Sequence, residues 1–423
     1  MKKDKSQGGH SQKWNAAKPR KMVGNDLKPY RWVMLANLWL VYVSFGLIIS
    51  SASPLVTPII KDLGISYGQM GFILGSWQLS YIAVAFTAGI IIDHWGVRKS
   101  LFLGTVFIGL SEALRCFANG FETLLLAVAL FGVGGPLISV GAPKTISVWF
   151  TGRDRGTAVG LYMTGPWVGS ILAFAGTNKY VMPLTGYSWR LTFVVYGFVT
   201  FGAAFLWWCF AKEVKTAGPT ESIGIHQAFL KLIKVRNVRM ILALGVLSLT
   251  VGHGYTNWLP KILENAGMSP AKAGFAASLS LFTSIPAILI IPRLVPSPLR
   301  GRCIALLALL TSAATASLMV ESHILLLTGI LLFGVTQRII APLLILMLME
   351  DPEVGSKYMG SAGGMFFCVS EIGGVMGPAL VGNLVDRTGN FTAGICLLAG
   401  FSLSVLAVTF LLQAPAVSRQ KGS

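Results

Sequence analysis

Twelve runs of about twenty or more apolar residues, spread along the whole chain, leave it one solvent in which to fold. A helix of that length crosses the roughly 30 Å hydrocarbon core of a bilayer, where backbone polar groups must be paired within the span. The runs lie near residues 32–60, 67–92, 100–118, 123–150, 157–182, 190–211, 238–262, 270–292, 302–320, 323–349, 355–384 and 391–413. Only 12% of the 423 residues are charged and 54% are hydrophobic, whereas soluble domains carry about 25% charged residues. The fold class expected is an all-α polytopic membrane protein. The first run follows a long polar, basic stretch and ends in no small-residue cleavage site, which argues against a cleaved leader.

The basic residues give an orientation. Nine lie in the tail through Arg31, and others fall in alternate loops: Arg98 and Lys99, Arg153 and Arg155, Lys212 to Arg239, Arg293 to Arg302, and Arg419 and Lys421. Positive residues collect in cytoplasmic loops. Both termini are therefore expected in the cytoplasm of a cell whose inner membrane holds the protein, and the net charge of +18 needs no nucleic acid to explain it. The organisation expected is a basic tail (1–31), a six-helix bundle (32–211), a central cytoplasmic loop (212–237), a second six-helix bundle (238–413) and a short tail (414–423). Ile225, Phe229, Leu232 and Ile233 recur at helical spacing among lysines, the pattern of a short amphipathic helix on the membrane face or of an ordinary solvated linker.

The halves echo one another. "MTGPWVGS" in span five holds Gly165 and Pro166; "VMGPALVG", six spans on, holds Gly377 and Pro378. Glycine permits close helix contact and proline a bend, and their recurrence at matching spans suggests duplication.

Nothing in the chain reads as catalytic. There is no phosphate-binding glycine loop, no identifiable Ser/His/Asp set, and no His or Cys cluster at metal-ligand spacing. The five cysteines lie far apart within apolar runs. Neither enzyme activity, cofactor nor metal is expected.

"GIIIDHWGVRKS", with Gly89, Asp93, Gly96, Arg98 and Lys99, resembles the loop between spans two and three of the major facilitator superfamily. His94 and Val97 stand where arginines are common there. The second-half counterpart, "IPRLVPSPLRGR", lacks the Asp. The resemblance extends over the twelve spans, the central loop and "GYSWRLTF". It implies a secondary transporter that rocks one half against the other. In the loop itself, Asp93 and Arg98 can pair across a turn tightened by glycine and so gate the cytoplasmic side, or they serve only to set topology.

Charges inside spans cost roughly 2.5–3.5 kcal/mol each on insertion scales and usually serve function. Arg338 lies near the middle of span ten, Glu371 near the middle of span eleven, and His253 just past the middle of span seven. Glu112 and Arg115 sit three apart in span three and can satisfy each other. Spans one, four, seven and ten line the cavity in the superfamily, which implies that Arg338, His253 and Lys144 face the path. Arginine offers a planar fork suited to a carboxylate. Glu371 is read either as its fixed counter-ion or as the group that carries the coupling proton, and His253 as a proton-coupling or a packing residue. Tyr42, Gln78, Tyr81, Trp167 and Asn257 complete the candidate pocket. Trp207 and Trp208 read as interface anchors.

Lys144, in "VGAPKTISVWF", lies about 9 Å from the cytoplasmic end at 1.5 Å per residue. It reads as an anion ligand of the cytoplasmic half or as a latch to Asp93. "APKTISVWF", "RDRGTAVGLY" and "GYTNWLPKILENAGMSPAKAG" resemble regions of organic-anion and cyanate-type porters. The expected function is symport of a small organic or inorganic anion with protons, by alternating access. The expected partners are that anion, protons and the lipid bilayer, with the chain a monomer. The alternative is proton-antiport export of drugs or metabolites, for which "GLYMTGPWVGS" partly matches an antiporter pattern, with Ser170 in place of a glycine. A transporter-like receptor or sensor using the basic tail is the third reading.

Overall fold

A computed structural model describes residues 29–213 and 230–411. Among them there is no strand, and eleven helical spans are long and apolar enough to cross a membrane, or twelve when a bent pair counts as one. We label them α1 (Tyr30–Leu63), α2 (Tyr67–Trp95), α3 (Val97–Phe117), α4 (Phe121–Trp149), α5 (Gly152–Leu184), α6 (Trp189–Phe210), α7 (Arg236–Asn265), α8 (Pro270–Leu294), α9 (Ser297–Met319), α10 (His323–Glu350), α11 (Ser361–Thr388) and α12 (Thr392–Thr409). The bent pair is α2, which turns by 62° between Ala85 and Thr87. The start expected at 355 moves to Ser361 for the apolar span, although the helix itself begins at Gly355.

Local chemistry fixes the ends. Ser66 accepts from the Gln69 amide while the Gln69 side chain accepts from the Ser66 N–H, a capping box that starts α2. Gly96, at φ +81°, turns the chain from α2 into α3, and a Cβ there would press into the Glu213 carboxyl at 2.8 Å. Only glycine meets both demands.

Lipid tails supply no hydrophobic drive between helices, so association depends on close packing at small residues. The two halves use the same device. In the first, Gly165 and Gly169 of α5 lie against the α1 backbone and Tyr42, while Gly46 of α1 lies against the Pro166 carbonyl. In the second, Gly373 and Gly377 of α11 lie against the α7 backbone around Val246, Thr250 and Gly254. Pro378 contributes its carbonyl, which accepts from Trp258 Nε1 at 2.9 Å. A Cβ on Gly377 would overlap the Thr250 carbonyl, which cannot move without its helix. Overpacking of this kind costs about 1–3 kcal/mol or more. Gly377→Val is therefore expected to lower the thermal midpoint of the purified protein well below that of Met376→Val, a change at the exposed neighbouring position. Equal midpoints in the two variants would refute this seam.

One apolar core runs through both halves, from Leu38 and Trp77 to Tyr255 and Leu398. Toward the end where α2 meets α3, here the basic end, the cores separate. Ala88, Ile92 and Leu137 cluster in the first half, and Val238, Ile304, Leu343 and Phe366 in the second. The hydrogen bonds between halves follow suit. Ser53 bonds Asn257, Thr57 bonds Glu264, Asn178 bonds the Pro270 carbonyl, and Asp386 accepts from Tyr67 and Gly68 N–H at 2.9 and 2.7 Å. All lie toward the opposite end. The Asp386 carboxylate there sits on the N-terminus of α2, where the helix dipole favours it. Among the described residues no hydrogen bond joins the halves beyond the central cavity toward the basic end.

Of the expected amphipathic segment, Ile225 and Phe229 lie outside the described residues, as do residues 1–28 of the first tail and the whole of the last. Leu232 and Ile233 are described, and they pack into the second-half core with Val235 and Val238. Leu232 is buried and Ile233 half-buried there.

Candidate functional site

A cavity of about 280 Å³ lies between the halves. The second half supplies its charges. Arg338 from α10, His253, Thr256 and Asn257 from α7, and Glu371 and Phe367 from α11 line it. The first half supplies mainly aromatic surface: Phe45 and Ile49 from α1, Trp77 and Tyr81 from α2, and Pro166 and Trp167 from α5, with Ser50 and Ser170. The helical periodicity that puts His253, Thr256 and Asn257 on one face of α7 is the i, i+3, i+4 spacing.

Arg338 donates from Nη2 to Thr256 Oγ1 at 2.7 Å, and its guanidinium carbon lies 5.0 Å from the Trp167 ring centroid. That stacking covers one face of the fork. The fixed pair with Glu371, one of two expected arrangements, is not formed: among the described residues no ion pair joins Arg338 to a carboxylate. Glu371 instead places Oε2 3.9 Å from His253 Nε2, and that oxygen is buried without a hydrogen-bond partner. Gln78 Nε2 approaches His253 Nδ1 at 3.2 Å. With the amide donating, Nδ1 accepts, so the neutral ring carries its proton on Nε2, facing Glu371. Glycine makes this reach possible, since Gly75 and Gly374 let α2 and α11 approach to where a Cβ would touch Val375 and Gln78.

The remaining pocket residues divide. Trp167 and Asn257 line the cavity, and Asn257 is held by Ser53 and the His253 carbonyl at 3.1 and 3.0 Å. Tyr81 lines it with its hydroxyl 2.6 Å from Ser139 Oγ. Gln78 is buried behind the wall and acts on it through His253. Tyr42 is buried beside Tyr162 in the α1–α5 seam, because the glycines of α5 draw the helices together over it. Trp77, Phe45, Phe367 and Thr256 line the cavity without having been singled out in the sequence.

Lys144 does not line the central cavity; it forms an ion pair with Asp93. Both border a second space of about 310 Å³ at the basic end, with Arg98 and Glu213. Asp93 thus takes Lys144 as its partner, and the expected Asp93–Arg98 pair is not formed. Arg98 donates to the Trp208 carbonyl at 2.6 Å and stacks 4.8 Å from the Trp208 ring. Glu213 accepts from Val97 and Arg98 N–H at 3.1 and 2.7 Å, capping α3. Gly89 is half-buried and Lys99 exposed, and both stand away from the two cavities. Trp207 is no interface anchor: it is fully buried and donates to the Arg98 carbonyl at 3.0 Å. Glu112 and Arg115 do pair, at 2.6 Å, buried beside Ser51. Among the described residues no group of His, Cys, Asp and Glu is placed to hold a metal.

Comparison with known proteins bears on this architecture as a whole. The chain is 24% identical over 413 residues to a hexuronate transporter of Bacillus subtilis, covering 88% of this chain and 92% of that one. It is 24% identical over 387 residues to a protein of Cupriavidus necator named as a probable sulfoacetate transporter, covering 81% and 84%. The fold superposes on a crystal structure of the nucleoside transporter NupG with a TM-score of 0.76 at 16% identity, covering 90% of this chain and 99% of that one. The family described as Major Facilitator Superfamily matches residues 38–378. With that match across most of its spans, the chain belongs to the major facilitator superfamily and is a multi-pass membrane transporter of small solutes, not an enzyme.

Proposed function

We propose that the protein carries a small organic anion together with protons, by alternating exposure of the central cavity to the two sides of the membrane. The observation that supports this most is Arg338: a guanidinium in the cavity with a hydroxyl, Thr256, for its hydrogen-bond partner and, among the described residues, no carboxylate paired to it. A half-buried cation held within a membrane span without a counter-ion is costly, and an anionic substrate would supply one. The relatives named for hexuronate and sulfoacetate point the same way. The His253–Glu371 pair, on the same wall, is the candidate carrier of the coupled proton.

The basic end, with the tail 1–31, the loop 212–237 and the tail 414–423, is assigned to the cytoplasm of a cell with this protein in its inner membrane. On that assignment the described state is open to the cytoplasm, and the Asp93–Lys144 pair and Arg98 belong to the gate that closes it. The chain is taken to act as a monomer.

The test is a counterflow screen on purified protein in proteoliposomes, with mono- and dicarboxylates, sulfonates, cyanate, nitrate and cationic dyes. Organic anions are expected to exchange. Exchange of cationic dyes alone would replace this reading with export of drugs by proton antiport.

A further inference from the structure

The walls of the cavity say more about the body of the solute than about its charge. Most of the polar groups there are already committed to one another. Ser50 donates to Ser170 at 2.8 Å, and Ser170 donates to the Gly46 carbonyl at 3.0 Å. Tyr81 and Ser139 share a hydrogen bond. The Asn257 amide is engaged at both its nitrogen and its oxygen. Thr256 accepts from Arg338. What remains to a ligand is the free edge of the Arg338 fork, the Glu371 carboxyl with His253 Nε2 3.9 Å from it, and the indole N–H groups of Trp77 and Trp167.

Apart from these few polar points the surface is aromatic: Phe45, Trp77, Trp167 and Phe367 all line the space. Trp77 is braced edge-on by Tyr81 and Phe131, with ring centroids 5.9 and 5.4 Å away, so its ring is held rather than free to reorient. Rings so held favour a flat, apolar guest by offset or edge-to-face contact. A polyhydroxylated acid would instead lose water from each hydroxyl and find few free partners, and unpaired buried polar groups are penalised. The cavity, about 280 Å³, lies at the small end of ligand sites.

We infer that the substrate is a compact arylcarboxylate, its carboxylate on Arg338 and its ring between Trp167, Trp77, Phe45 and Phe367, rather than a sugar acid. This rests on the organic-anion reading above. Trp167 covers one face of the guanidinium and Thr256 occupies one N–H, leaving two parallel N–H groups for a bidentate carboxylate.

Equilibrium binding to the full chain in lipid nanodiscs tests it, with phenylacetate, galacturonate and the uncharged phenylacetamide as probes. Phenylacetate is expected to bind at least tenfold tighter than either of the others. Galacturonate binding as tightly as phenylacetate would overturn the aromatic assignment and leave the anion reading standing. Phenylacetamide binding as tightly as phenylacetate, or no binding of either acid, would remove both. Phe367→Leu, which keeps an apolar side chain at the wall, is expected to weaken phenylacetate at least fivefold and leave sulfoacetate within twofold. Equal loss of both ligands would overturn the assignment of Phe367 to the ring.

Discussion

Arg338→Gln is expected to abolish anion transport in a protein that still folds. Glutamine leaves a flat, polar, uncharged amide two atoms short of the fork, so the packing of the helices around Arg338 need not collapse, although the bond to Thr256 and the stacking on Trp167 are lost. What disappears is the charge and the paired donors. Removing one partner from a buried hydrogen-bonded charge pair costs about 2–5 kcal/mol, which is roughly a thirtyfold to several-thousandfold loss of affinity. Counterflow in proteoliposomes should fall to background, while thermal unfolding stays close to the parent. Arg338→Lys keeps the charge but not the fork, and should fall between. Parental anion affinity in Arg338→Gln would end the case for this residue as the anion's partner.

Glu371→Gln is expected to separate exchange from accumulation. The change is nearly isosteric, which matters because Gly374 and Gln78 close around that side chain. With no carboxyl to load and unload, the proton loses its carrier, and substrate equilibrates without being driven. A pH difference of one unit supplies about 1.4 kcal/mol per proton, or about tenfold accumulation; that increment should vanish. Counterflow of unlabelled against labelled substrate should persist, since it needs no net proton movement. Gradient-driven accumulation surviving in the variant would take Glu371 out of the mechanism.

How much of this was open to reading depends on whether the signal was local. A lone charge in an apolar run is expensive wherever its helix sits, so Arg338, His253 and Glu371 stood out one by one, and all three reach the cavity. The Gly-Pro pairs stood out for the same reason, and their glycines form the α1–α5 and α7–α11 seams. Aromatic residues carry no such mark. Trp77 and Phe367 sit in runs where most rings simply pack, and only the rotation of each helix decides which face the solute. That rotation also turned Tyr42 into the α1–α5 seam. Lys144 was ambiguous until Asp93, 51 residues earlier, was brought beside it. Glu213 follows a lysine in an unremarkable stretch, and its role as the cap of α3 exists only because α6 ends next to Gly96.

The Gln78–His253 bond has a consequence for how movement and protonation are tied. It is a polar link between the halves at the level of the cavity, and it crosses from α2 to α7. Any motion that parts those helices must break it. His253 then loses the donor that keeps its Nδ1 an acceptor, and the imidazole becomes free to hold its proton on either nitrogen or on both. The ring thereby reports the position of the other half of the molecule to Glu371, as an escapement lets a gear advance only when the pendulum has swung.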